Sequence, residues 1–84
     1  MSEATTVTVY TREDCHLCDD AIAAVRRASD AAGRPVDVDV VDVDEDAELA
    51  ERYGDRVPYV LVDGTPKFKF EVDERALVDM IEAA

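Results

Sequence analysis

Val36-Asp37-Val38-Asp39-Val40 alternates apolar and acidic residues at every step. Only an extended strand sends successive side chains to opposite faces, so this segment has one face for a core and one for water. Upstream, Thr6-Val7-Thr8-Val9-Tyr10 is β-branched or aromatic throughout, alternates as well, and reads as another strand. Between the two, Leu17, Ala21, Ile22, Val25 and Ala28 recur at helical spacing from Cys15 to Ala32, with those apolar side chains expected to face inward. Gly33 and then Pro35 stop that helix. Two strands joined through one helix run parallel by a right-handed crossover. The first half of the chain is thereby committed to a β-α-β unit.

The remainder supplies four more elements. Asp44 is placed to cap a short helix over 45–53, with Leu49 and Tyr53 facing inward. Val57-Pro58 opens a strand from Tyr59 to Val62, whose unbroken apolar run predicts burial on both faces. Asp63-Gly64 is a hairpin turn signal. Beyond it Phe68, Phe70 and Val72 alternate with Lys67, Lys69 and Glu71, a fourth strand whose charges suit a sheet edge. Asp73 caps a last helix with Leu77, Val78 and Ile81 on one face. The predicted order is β-α-β-α-β-β-α, the last two strands antiparallel. It gives an α/β domain with a four-stranded mixed sheet and helices on both faces. At 84 residues the chain has room for a single domain over 1–84. A chain this short buries only about 60–65% of its unfolded surface, so the core is thin.

Charge narrows the partners. Lys and Arg number 9 against 21 Asp and Glu, a formal charge of −12. Nucleic acid and anionic membrane both attract positive surface and are not expected as partners. No apolar run reaches the roughly 18–20 residues of a membrane span. Met1–Tyr10 has neither a basic start nor a long apolar block, so a cytoplasmic location is expected. Only Lys67 and Lys69 are lysines. High acid with little lysine resembles proteins of salt-loving organisms, where a Debye length of about 3 Å at 1 M screens the self-repulsion. The acid run Asp37–Asp46 lacks the central Gly and terminal Glu of a calcium loop and reads as a solvated acidic face.

The two cysteines, Cys15 and Cys18, carry the chemistry. In a reducing compartment a close pair is more often reactive or metal-binding than structural. Cys15 falls at the start of the first helix, where unpaired N–H groups and the helix dipole favour a thiolate, the species that attacks disulfides. Cys18, one turn on, is placed to attack a mixed disulfide on Cys15. Glu13, Asp14, Asp19 and Asp20 flank the pair against one Arg12, which opposes the helix effect, the more so at low salt. His16, between the cysteines, tunes the pair if it carries a proton. A structural zinc site takes four ligands, and one chain with two Cys and one His does not close it unless carboxylates join or two chains share the metal. Metal or iron–sulfur binding in a dimer and a non-catalytic binding module are the competing readings.

Val9 to Cys18, with its Cys-His-Leu-Cys, then Arg56-Val57-Pro58-Tyr59-Val60, then Asp63-Gly64, resemble a glutaredoxin-like member of the thioredoxin superfamily. The resemblance implies a thioredoxin-like fold, a cis Pro58, a nucleophilic Cys15 and a resolving Cys18. It implies a monomeric dithiol–disulfide oxidoreductase without a bound cofactor. Its partners would be a disulfide-containing protein or small-thiol substrate and a thiol or disulfide reductase. It also implies that glutathione, if it is a co-substrate, meets Arg12, the Val57 backbone, Asp73 and Glu74. The family's Gly-Gly before that acidic pair is absent, and Phe70-Glu71 stand there, adding bulk and a negative charge.

Overall fold

The computed structural model of the chain describes residues 4–83. Its elements are β1 (Thr5–Thr11), α1 (His16–Ala31), β2 (Val36–Asp42), α2 (Ala47–Tyr53), β3 (Tyr59–Val62), β4 (Thr65–Lys69) and α3 (Glu74–Ala83). A 3-10 turn, Val43–Glu45, lies between β2 and α2. The sheet runs β2-β1-β3-β4. β1 and β2 are parallel, and the other two pairs are antiparallel. This is the expected α/β order with a four-stranded mixed sheet.

The alternation in β1 decides where the core lies. Val7 and Val9 point to one face, where Val60 and Val62 of β3 join them against Val25 and Ala28 of α1 and Leu77 and Ile81 of α3. Each full burial of a Val, Leu or Ile side chain contributes about 1.5–3 kcal/mol, so this face carries most of the stability. The opposite face is covered more thinly. α2 has no fully buried residue. It presents Tyr53, whose ring stacks on Tyr10 at 4.5 Å and on Tyr59 at 5.2 Å between centroids. Burial in this stack, and then the nearby Tyr53 and Asp39, raise the Tyr10 phenol above its usual range.

At the hairpin both central residues, Asp63 and Gly64, have positive φ, as the primed turns require. Asp63 also ties the turn to the sheet. Its N–H donates to the Thr6 carbonyl at 2.8 Å, and its carboxylate accepts from the Thr6 N–H at 3.0 Å. A two-residue turn followed by strict pairing would set Lys67 opposite Val60 and turn Phe68 away from the core. Instead the register shifts between Val60 and Leu61, so that Phe68 pairs with Val60 and Pro66 with Leu61. Lys67 is the extra residue of a β-bulge that returns Phe68 to the apolar face.

Four local expectations need correction. Leu17, on the apolar spacing of α1, is 50% exposed, and in the first turn Cys18 is the residue turned inward. The segment after β2 is not one helix capped by Asp44. Asp42 caps the 3-10 turn through the Asp44 N–H, and Asp46 caps α2 through the Glu48 and Leu49 N–H groups. β3 is fully buried only at Val60 and Val62, since Tyr59 and Leu61 face the thin layer. β4 ends at Lys69, so Phe70 and Val72 lie outside it. The reason is stereochemical: Lys69 pairs with Tyr59, the next position faces Pro58, and proline has no N–H to extend the ladder.

Candidate active site

The chain leaves β1 at Thr11 and reverses through Glu13 and Asp14 into α1. Asp14 has φ +57, a conformation that Asp tolerates better than most residues. Cys15 then serves as the N-cap of α1. Its Sγ accepts the Cys18 N–H at 3.1 Å, and its carbonyl accepts the Asp19 N–H. Sulfur thus occupies the place an oxygen fills in most caps, aimed at orphan donors of the first turn. The same geometry brings the cysteines together: Cys15 and Cys18 form a disulfide with Cα atoms 5.1 Å apart. Their environments differ. Cys15 is half-buried, while Cys18 is wholly enclosed.

Pro58 is buried and follows a cis peptide bond from Val57. Tyr59 pairs with Tyr10, so the start of β3 lies beside the end of β1, just before the cysteine turn. The Pro58 carbonyl accepts the Phe70 N–H at 2.7 Å. Phe70 and Leu17, the residue before Cys18, line one groove. β1, the cysteine loop, Val57-Pro58 and the segment after β4 therefore meet at one end of the sheet.

Three of the other predicted site residues, Arg12, Asp73 and Glu74, have partners of their own. Arg12 forks onto Asp44, with Nε and NH2 bonds of 3.2 and 2.7 Å, and donates NH1 to the Gly54 carbonyl at 2.9 Å. The hydrogen bonds to Asp44, and then its negative charge, raise the guanidinium pKa above the usual arginine value. Asp73 caps α3 by accepting the Ala76 N–H at 3.1 Å. Glu74 accepts Arg27 Nε at 2.7 Å. His16 is the exposed first residue of α1. Glu13, Asp14, Asp19 and Asp20 are all exposed round the pair. The one cation counted near them in the sequence is held by Asp44. Among the described residues, no group of three or more His, Cys, Asp or Glu side chains is arranged to hold a metal ion. No helix among them is long and apolar enough to cross a membrane.

Sequence reasoning noted the bulk of Phe70 but missed its conformation. It has φ +71, and the Glu71 N–H closes on the Lys69 carbonyl at 2.8 Å, a γ-turn with an aromatic residue at its centre. Counting the hairpin back from Asp63-Gly64 sets Lys69 against Pro58, and only the bulge at Lys67 moves Phe70 to that place.

Comparison with known proteins agrees with this geometry. No curated protein matches the chain. Among solved structures, a protein from X. campestris, XcR50, is 35% identical, covers 93% of this chain and 97% of its own, and superposes with a TM-score of 0.71. Protein Ne2328 from Nitrosomonas europaea is 25% identical over 96% of this chain and 95% of its own, with a TM-score of 0.76. A mutant thioredoxin from Halobacterium salinarum is 28% identical over 96% of this chain and 74% of its own, with a TM-score of 0.68. The pattern of the glutaredoxin-like domain (DUF836) matches residues 6–82. With that span matched and a close cysteine pair at the head of α1, the chain belongs to the glutaredoxin-like family, built on the thioredoxin-like fold and suited to a redox role.

Proposed function

We propose that the chain is a dithiol–disulfide oxidoreductase acting on disulfides carried by polypeptides. The observation that supports this best is the asymmetry of the pair: two bonded sulfurs at a helix N-terminus, one reachable from solvent and one enclosed. In the reduced protein the Cys15 thiolate attacks one sulfur of a substrate disulfide. The substrate S–S bond breaks, a Cys15–substrate disulfide forms, and the other substrate sulfur leaves as a thiolate that takes a proton. Cys18, having given up its proton, attacks Cys15 Sγ. The mixed disulfide breaks, the second substrate sulfur leaves and is protonated, and the Cys15–Cys18 bond closes. Two electrons pass from the pair to the substrate, and a low-molecular-weight thiol or a disulfide reductase restores them. In this reading the N-terminal end of α1, whose Cys18 N–H bonds Cys15 Sγ, stabilises the attacking and departing thiolates. Val57 and Pro58 flank the substrate sulfur. Glutathione held by Arg12, Asp73 and Glu74 would have to displace Asp44 and Arg27 from bonds already made.

The test is trapping. Reduced Cys18→Ser should accumulate a covalent, dithiothreitol-releasable complex with a protein that carries a disulfide, and Cys15→Ser should not. Equal capture by both variants would overturn the assignment of roles. Loss of a reversible two-electron couple in the intact protein would overturn the enzyme reading as a whole.

A further inference from the structure

Large apolar side chains are exposed at only three described positions, Leu17, Val40 and Phe70, and two of these flank one groove. The groove has a volume of about 740 Å³ and runs between α1 and the segment Lys67–Asp73. Ala21 and Ala24 form its α1 wall, and their small side chains keep it open. From Leu17 to Arg27 that wall is about 15 Å of helix at ~1.5 Å per residue, room for about four or five extended residues at ~3.3 Å each. The groove begins at the turn that carries the redox pair, though neither cysteine lines it. Leu17 lies between the cysteines, and Phe70 is bonded to Pro58.

Phe70 is the outlier on this surface. Three described non-glycine residues have positive φ: Asp14, Asp63 and Phe70. Asp accepts that region, whereas a bulky aromatic residue occupies it only under constraint. The ring gains little from the core in return, being 42% exposed with the Lys69 ammonium 5.4 Å from its centre. Charge is also unusual here. In a chain of −12 the only two lysines, Lys67 and Lys69, both line this groove together with Arg27. Arg27 is engaged by Glu74, and Asp20, Glu71 and Asp73 also line the groove. The walls are therefore balanced in formal charge while the rest of the molecule is strongly acidic, and among the described residues Lys67 and Lys69, on the β4 side, form no salt bridge.

We propose that Leu17 and Phe70 form a cleft that reads the substrate. It selects extended polypeptide disulfides with a large apolar residue next to the cysteine and a carboxylate beyond it, toward Lys67 and Lys69. This inference rests on the oxidoreductase reading and adds the identity of the substrate segment. The chemistry is the exchange already given, with the peptide cysteine as the sulfur attacked and its capping thiol as the first leaving group.

The experiment uses the reduced full chain and five-residue peptides whose single cysteine is capped as a mixed disulfide with 2-mercaptoethanol. The neighbour of the cysteine is Leu or Ser, and the next position is Glu or Lys. Bis(2-hydroxyethyl) disulfide serves as a substrate without side chains. Acid-quenched mass spectrometry gives each rate constant. The Leu peptide should react about tenfold faster than the Ser peptide, the factor expected for burying part of one aliphatic side chain. Glu should be preferred to Lys beyond it. In Phe70→Ala and Leu17→Ser the Leu-to-Ser ratio should fall below about two, and in the double variant Lys67→Gln/Lys69→Gln the Glu-to-Lys ratio should do the same. Phe70→Gly, which suits the observed φ, repeats the first test without dependence on how alanine folds there. A wild-type protein that consumes the small disulfide yet treats the Leu and Ser peptides alike overturns the cleft. So does a preference that survives in Phe70→Ala and Phe70→Gly. A protein inert toward the small disulfide and every peptide overturns the oxidoreductase reading, and the cleft with it.

Discussion

Phe70 illustrates how one residue can be set against the stability of its own turn. Holding a non-glycine residue at positive φ costs on the order of 1–3 kcal/mol. Against relief of that strain, glycine adds about 0.5–1 kcal/mol of unfolded-chain entropy. Loss of the exposed Lys69 contact adds roughly 0.5–1 kcal/mol more. The strain is the larger quantity over most of this range, so Phe70→Gly should raise the urea midpoint or leave it unmoved. A fall of more than ~1 kcal/mol would mean that the ring supports the fold and that its φ is not its main cost. Cys15 could be placed from sequence because the end of a strand and the start of a helical period bracket it. The conformation of Phe70 could not be seen in its own neighbourhood, since Phe68-Lys69-Phe70-Glu71-Val72 alternates as well as any strand. Its cause lies across the hairpin, in the missing amide of Pro58. The engagement of Arg12 was hidden for a similar reason: Asp44 and Gly54 are remote in sequence and meet it only through the fold.

Of the three helices, α2 is the least secured by burial, and polar contacts hold it. Asp46 caps its start, and its end is fastened where Gly54 receives Arg12 NH1 on its carbonyl and donates its N–H to Ala50 at 2.9 Å. Gly54 has ordinary helical φ and ψ, so it is not glycine for conformational freedom. Space is the reason. A Cβ there would press well inside contact distance of the Ala50 carbonyl oxygen and reach the Arg12 guanidinium at 3.4 Å. Gly54→Ala should therefore destabilise by about 1–3 kcal/mol, read as a lower urea midpoint, because backbone must shift to admit the methyl. An unchanged midpoint would show that the end of α2 yields freely. The other elements were largely legible, since alternation in β1 and β2, the helical period of α1 and the Asp63-Gly64 turn are local signals. The division of residues 42–53 into a 3-10 turn and a helix was not, because Asp42, Asp44 and Asp46 are equally good caps by composition and only the packing of Val43 into the interior chooses between them.

For the whole molecule the opposing quantities are general repulsion and a few ion pairs. Three pairs occur among the described side chains, Arg12–Asp44, Arg27–Glu74 and Arg52–Glu48, all substantially exposed. Each contributes about 0–1 kcal/mol, and salt weakens it. The charge of −12 on so small a body repels throughout, and salt weakens that as well. Few pairs against many uncompensated carboxylates means that screening should help more than it harms. The urea midpoint should rise between 0.1 M and 2 M KCl, and a flat or falling midpoint would remove the salt-adapted reading of the composition.

The two rims of the sheet meet such a solvent differently. β2 ends the sheet with Asp37 and Asp39 exposed, and β4 ends it with Pro66 and the bulge at Lys67. Electrostatic protection of the first rim fades as ions crowd in. A proline without a hydrogen to donate and a strand bent out of register are indifferent to ionic strength. In concentrated electrolyte the margin beside the redox pair thus stays closed to stacking with another copy by shape alone, and the burden of staying dispersed falls on the far side.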